Sequence, residues 1–163
     1  MRKFEHLKEN LDLLLKQGRQ LELALVFDLM TEEQAANLSS GHRKFAEALK
    51  GTFKRDYHGW YGKSLMLIRQ LVPEKYEEFA SYFLASPKRR AIQPITKQLR
   101  SWLDGESPAF HQYDGGKFLN GAAIVSAFFS NQLQILEAAK LQTESTQAPC
   151  KIGIPALLVN LAR

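Results

Sequence analysis

From Tyr57 onward the apolar residues of this chain recur at helical steps. Tyr57, Tyr61, Leu65, Ile68 and Val72 are spaced by four, four, three and four residues, and Trp60, Ser64, Leu67 and Leu71 form a second row beside them. Two adjacent rows make a wide apolar face, which means contact with more than one neighbouring element. Lys63, Arg69 and Gln70 fall on the remaining, solvent side. Pro73 lacks an amide hydrogen and disfavours a helical Val72, so this helix should stop there. Proline also suits the first position of a helix, and Glu74, Glu77 and Glu78 suit the positive end of its dipole. A second helix is therefore expected from Pro73 to about Leu84, with Tyr76, Phe79, Ala80 and Phe83 inward.

Upstream, Phe4, Leu7, Leu11, Leu14, Gly18, Leu21 and Leu25 alternate steps of three and four. Such a stripe fits a dimerising coiled-coil seam or one long helix of a bundle. Leu13, Leu15 and Leu23 thicken it, which favours a bundle core over a narrow seam. Thr31-Glu32-Glu33-Gln34 has the capping-box pattern and predicts a short helix to about Leu38, ended by Ser39-Ser40-Gly41. The next helix is expected from about His42 to Lys54 with Phe45, Leu49 and Phe53 on one face, weakened only by Gly51 and Gly59 and free to run on into the central helix.

Beyond Leu84, Ser86-Pro87-Lys88-Arg89-Arg90 reads as a basic loop or helix start. Ile95, Leu99, Trp102 and Leu103 predict an amphipathic helix stopped by Asp104-Gly105. Residues 104–116, DGESPAFHQYDGG, read as a loop, with Gly115-Gly116 a turn. A helix from about Lys117 to Leu141 closes the core through Phe118, Ala122, Val125, Phe129, Leu133, Leu136 and Ala139. Cys150 to Arg163 is apolar and interrupted by Gly153 and Pro155, a segment that either docks on the bundle or stays a loose tail. Period-two alternation is scarce, so no sheet is expected. These elements make a single all-α domain, a bundle of about five to seven helices over residues 1–145, with 146–163 as an apolar C-terminal tail.

Composition narrows the class. The 163 residues suffice to bury a core without staples, and one cysteine excludes an internal disulfide or a thiolate zinc site within one chain. Arg2 and Lys3 lead into a charged amphipathic segment and not a secretory signal, and no run approaches the ~20 apolar residues that span a bilayer. A cytoplasmic protein with no membrane partner is expected. The net charge of +5 is uneven: residues 1–42 hold 5 Lys/Arg and 7 Asp/Glu, residues 43–100 hold 13 and 5, and residues 101–163 hold 4 and 5. The middle third therefore carries the cationic excess and is where an acidic partner should meet the chain.

The chemistry-bearing residues are sparse. His6, His42, His58 and His111 show no metal-ligand spacing, and no Walker loop, GxGxxG or GxSxG occurs, so no metal, no cofactor and no catalytic residue is assigned. His58 near Arg55, Tyr57 and Trp60 is the most chemical-looking cluster, since a histidine with a nearby arginine can cleave RNA by acid–base and electrostatic help. The ordinary alternative puts the aromatics in the core and His58 at a helix shoulder. Arg43, Lys44, Lys50, Lys54, Arg55, Lys88, Arg89, Arg90, Lys97 and Arg100 either line one phosphate-binding surface or are solvated charges scattered round a bundle. Lys54, Arg55, Lys88, Arg89, Arg90, Lys97 and Arg100 are the candidate nucleic-acid-binding residues.

Three segments together carry a family resemblance: DYHGWYGKSLMLIRQLVPEKYEEF (56–79), KRRAIQPITKQLRSWLDG (88–105) and FFSNQLQILEAAK (128–140). They resemble the amino-terminal helical region of a family of uncharacterised bacterial proteins, over roughly residues 1 to 145. In that family a tryptophan–tyrosine helix leads into a leucine–proline turn, a basic segment, a short helix ending in glycine and a QLQIL-type helix. Its longer members continue into a second helical domain similar to the HEPN class of RNases and defence proteins. This chain departs from that continuation after about Thr146. The HEPN signature, an arginine, then about four to six intervening residues, then a histidine, is not met here. Arg2 to His6 leaves three residues between, Arg55 to His58 two and Arg100 to His111 ten. The resemblance thus implies an all-α module and argues against HEPN-type catalysis. The expectation is a non-enzymatic regulatory or interaction module that binds a protein partner or a second copy through its amino-terminal helix. A nucleic-acid binder using residues 43–100 is the alternative, and an RNase on Arg55 and His58 the third.

Overall fold

The computed structural model describes residues 2–84, 97–107, 110–113 and 117–147. The wide apolar face of the central stretch is used as its spacing demands. It lies on α4 (Thr52–Leu71), with Tyr57, Trp60, Tyr61, Ser64, Leu67 and Ile68 buried and Lys63, Arg69 and Gln70 exposed. Its two partners are α1 (Arg2–Leu29) and the last helix, α7 (Gly121–Gln147), and these three long helices pack on one another. The remaining α-helices are α2 (Glu32–Ala36), α3 (Ser40–Leu49), α5 (Tyr76–Ser81) and α6 (Gln98–Leu103). Seven α-helices among the described residues make an all-α bundle.

Helix ends follow local chemistry. Thr31 and Gln34 form the reciprocal capping box at α2. Val72 leaves the helical region (φ −142°, ψ 66°) ahead of Pro73, which opens a 3-10 turn (Pro73–Lys75) leading into α5. After α6, the Gly105 amide donates to the Trp102 carbonyl and the Glu106 amide to the Ser101 carbonyl, the paired bonds of a Schellman end, with Gly105 at φ 98°.

Four expectations are corrected. Ser39 does not end α2; its hydroxyl accepts from the His42 amide and caps α3, which starts at Ser40. The helix expected from about His42 to Lys54 breaks at Gly51, whose φ of 76° is left-handed and costs glycine nothing. The Gly51 amide donates to Asp28 Oδ1 at 3.0 Å, so the break is tied to the end of α1. As a result Phe45 is exposed on α3 while Phe53 is fully buried on α4, and they share no face. A sheet was not expected, yet β1 (Phe110–Tyr113) pairs antiparallel with β2 (Lys117–Asn120), Phe110 opposite Asn120 and Tyr113 opposite Lys117. The aromatic residues flanking Asp114-Gly115-Gly116 suit a strand pair, and α7 accordingly starts at Gly121 and not at Lys117. Asn120 Oδ1 accepts from the Ala123 amide at that start. Finally, Leu15 is core, but Leu13 and Leu23 are exposed and do not thicken it. Gly115-Gly116, Ile95 and the segment from Cys150 onward lie outside the described residues.

Gly18 is where the three long helices converge. A Cβ there would lie 2.6 Å from Leu133 Cδ1 and 3.2 Å from two atoms of the Trp60 indole. The glycine in the apolar stripe of α1 is thus a seat for Trp60, whose Nε1 donates to the Leu14 carbonyl at 2.9 Å. Gly18→Val should lower stability by about 1–3 kcal/mol through overpacking. Gly18→Ala should cost less, because alanine gains about 1 kcal/mol of helix propensity over glycine, which offsets part of the shift that Leu133 Cδ1 and the Trp60 indole must make. Urea unfolding of both variants checks the order. Along the opposite flank, α1 and α7 run antiparallel and are aligned by Arg19–Glu137 at 3.1 Å, Asp12–Lys140 at 2.6 Å and Lys8–Glu144 at 4.0 Å. These pairs are partly exposed, so they set register more than stability.

Candidate functional site: the groove between α1 and α4

α1 buries Leu11, Leu14, Leu15, Gly18, Leu21 and Leu25, the stripe that a dimerising seam would have offered to a second chain. That stripe is consumed inside the bundle. What α1 leaves outside is a different edge. Asp28 meets Gly51 at one end of the α1–α4 pair, and Leu7 and Gln70 lie together at the other, so the two helices run antiparallel. Between the amino-terminal half of α1 and the carboxy-terminal half of α4 lies a groove of about 670 Å³.

Its floor is apolar, from half-buried Leu7 and buried Leu14 and Leu67. Leu13 and Met66 also line it and are 64% and 67% exposed, so two large apolar side chains stand in solvent beside an apolar floor. Single exposed leucines are ordinary, whereas an apolar floor with apolar rims is the composition of a docking groove. The polar lining consists of Asn10, Gln17, Gln20 and Gln70, with Lys16 and Lys63 as the charges. Among the described residues no carboxylate lines the groove, and neither lysine has an ion-pair partner.

The basic candidates are placed differently. Lys54 Nζ sits 4.4 Å above the Trp102 ring, a cation–π contact that brings the start of α4 against α6, the helix that carries Arg100 and follows exposed Lys97. Arg55 turns instead to Asp56, donating from Nε and Nη2 at 2.8 Å each. That carboxylate raises the Arg55 pKa, and the bonds from Arg55 hold the Asp56 carboxyl below its ordinary value. Arg100 Nε lies 4.0 Å from Asp104, and Arg43 Nη2 donates to the Ala36 carbonyl. Lys88, Arg89 and Arg90 lie outside the described residues.

The Arg55–His58 cluster is not assembled as an acid and its electrostatic helper. Arg55 is committed to Asp56, and the exposed His58 ring meets Tyr57 and Phe83 edge-on at 5.9 and 5.5 Å. Behind it lies an aromatic stack of Tyr57, Tyr61, Phe79 and Phe83. Burial pushes the Tyr57 phenol far up and the Tyr61 phenol up to about 12. An unfolded tyrosine ionises near pH 10, so above that the unfolded state loses protons that the folded state retains. Stability should therefore hold up to about pH 10 and fall above it, with a shallower fall in Tyr61→Phe; denaturation midpoints across that range test this.

Among the described residues no group of three or more His, Cys, Asp or Glu is placed to hold a metal, and no helix is long and apolar enough to cross a membrane. No protein-family profile, curated protein or solved structure matches this chain. Sequence reading missed Leu13 and Met66 as surface residues. The available signal was that Leu13 falls off the three–four stripe of α1 and Met66 off both rows of α4.

Proposed function

We propose that this chain is a non-enzymatic interaction module of the bacterial cytoplasm that docks a protein partner on the outer edge of its amino-terminal helix. The observation that carries the reading is the α1–α4 groove, apolar at its floor and rimmed by exposed Leu13 and Met66. Large exposed apolar groups beside such a floor contribute nothing to the core and favour association. The lone Cys150 fits a reducing compartment.

A photo-crosslinking residue at position 13 or 66, introduced in cells that naturally make the protein, tests this. The expected result is the same discrete protein adduct from both positions and none from exposed Glu77. Adducts at 13 and 66 no stronger than at 77, or adducts to nucleic acid alone, would overturn it.

A second reading has its own observation. The Lys54–Trp102 contact brings the start of α4 against α6, the helix that carries Arg100, and this supports a cationic edge for phosphates. Oligonucleotide binding that weakens steeply with salt and is lost in a Lys54→Glu/Arg100→Glu variant would support it, and no binding at low salt would remove it.

A further inference from the structure

We infer that the occupant of the α1–α4 groove is an amphipathic helix of a partner protein whose apolar stripe is bordered by acidic residues. This inference rests on the docking reading above and adds the chemistry of the partner.

The shape comes first. The α1 residues that line the groove run from Leu7 to Gln20, so the groove is roughly 20 Å long at helical rise. That length takes three to four turns of a helix, which would present leucine-like anchors at steps of three and four to Leu13, Met66 and the floor between them. An extended strand has no edge to pair with here, because both walls are helices with their backbone groups already bonded.

Charge then selects among helices. Lys16 on one wall and Lys63 on the other are the charged groups lining the groove, and both are exposed and unpaired among the described residues. A helix with glutamates flanking its apolar stripe would meet a lysine on each side. A second copy of this chain docked groove to groove would bring four lysines together with no carboxylate from either groove to neutralise them. A basic helix would be repelled from both walls. An acidic amphipathic helix satisfies the apolar floor and both lysines at once.

The test uses the full chain and three designed helical peptides of about 14 residues that share one leucine stripe and differ in its borders: glutamate, glutamine or lysine. Binding is read by fluorescence anisotropy at low and moderate salt. The glutamate-bordered peptide should bind about tenfold or more tightly than the lysine-bordered one, with the glutamine peptide between and the difference shrinking as salt rises. In Lys16→Glu/Lys63→Glu the order should invert, and in Leu13→Ser/Met66→Ser all binding should fall. Equal binding of the three peptides, still lost in Leu13→Ser/Met66→Ser, would overturn the acidic partner and leave the groove as a docking site. No saturable binding of any peptide would overturn both. Self-association that Leu13→Ser/Met66→Ser abolishes, seen by sedimentation, would make the occupant a second copy, and oligonucleotide binding that requires Lys16 and Lys63 would make it a nucleic acid; either replaces the acidic helix.

Discussion

Trp60→Ala should cost about 3–5 kcal/mol of folding stability, the range for deleting a fully buried large aromatic side chain. Against a total of about 5–15 kcal/mol for an ordinary domain, that leaves a protein close to unfolding. The reason is position. Trp60 is buried between all three long helices, 4.9 Å from the Phe129 ring of α7, seated on Gly18 of α1, and hydrogen-bonded through Nε1 to the Leu14 carbonyl. Gly18, on which the indole sits, has no side chain to move into the space. Trp60→Phe keeps most of the volume and lacks the indole N–H, so it should cost substantially less than the alanine variant. Urea titrations of both, followed by helical circular dichroism, separate the volume from the hydrogen bond. Equal losses for the two variants would put the weight on the hydrogen bond instead.

Gln132→Leu should cost about 2–6 kcal/mol although it replaces a polar core residue with an apolar one of similar size. Gln132 is fully buried and serves two groups: its Oε1 accepts from the Tyr57 hydroxyl at 2.9 Å, and its Nε2 donates to the Phe79 carbonyl at 3.2 Å. That carbonyl lies in the last turn of α5, where a helix leaves its final carbonyls without internal partners. Each buried group left unpaired costs about 1–3 kcal/mol. Tyr57→Phe/Gln132→Leu removes one of the two orphans, so the double variant should be less destabilised than the sum of the single ones, with a coupling of about 0.5–3 kcal/mol. Strict additivity in that cycle would mean that the hydroxyl contributes nothing through Gln132.

The burial of α4 and of the latter part of α7 is legible in sequence because it follows helical period: Val125, Phe129, Leu133, Leu136 and Ala139 are all buried. The Pro73 corner and the Asp104-Gly105 stop are legible because proline and left-handed glycine act locally. Gly51 is harder, since a glycine inside an apolar pattern breaks a helix only when a tertiary partner, here Asp28, holds the break. The hairpin hides because four residues per strand leave too little room for alternation to show. Leu13 and Leu14 are neighbours in sequence, but at about 100° per residue one faces the core and the other does not. The groove is illegible for a deeper reason: it is a property of how two helices are rotated against each other. Gln132 did carry a signal, a polar residue three positions after Phe129 on an apolar face, which in a packed core needs specific partners.

The most direct measurement is a nuclear magnetic resonance map of the amides that shift when the glutamate-bordered peptide is added to the full chain. Docking in the groove predicts shifts concentrated in residues 7–20 of α1 and 63–70 of α4, absent in Leu13→Ser/Met66→Ser. Shifts centred instead on Lys54, Lys97 and Arg100, or spread evenly over the surface, would contradict it.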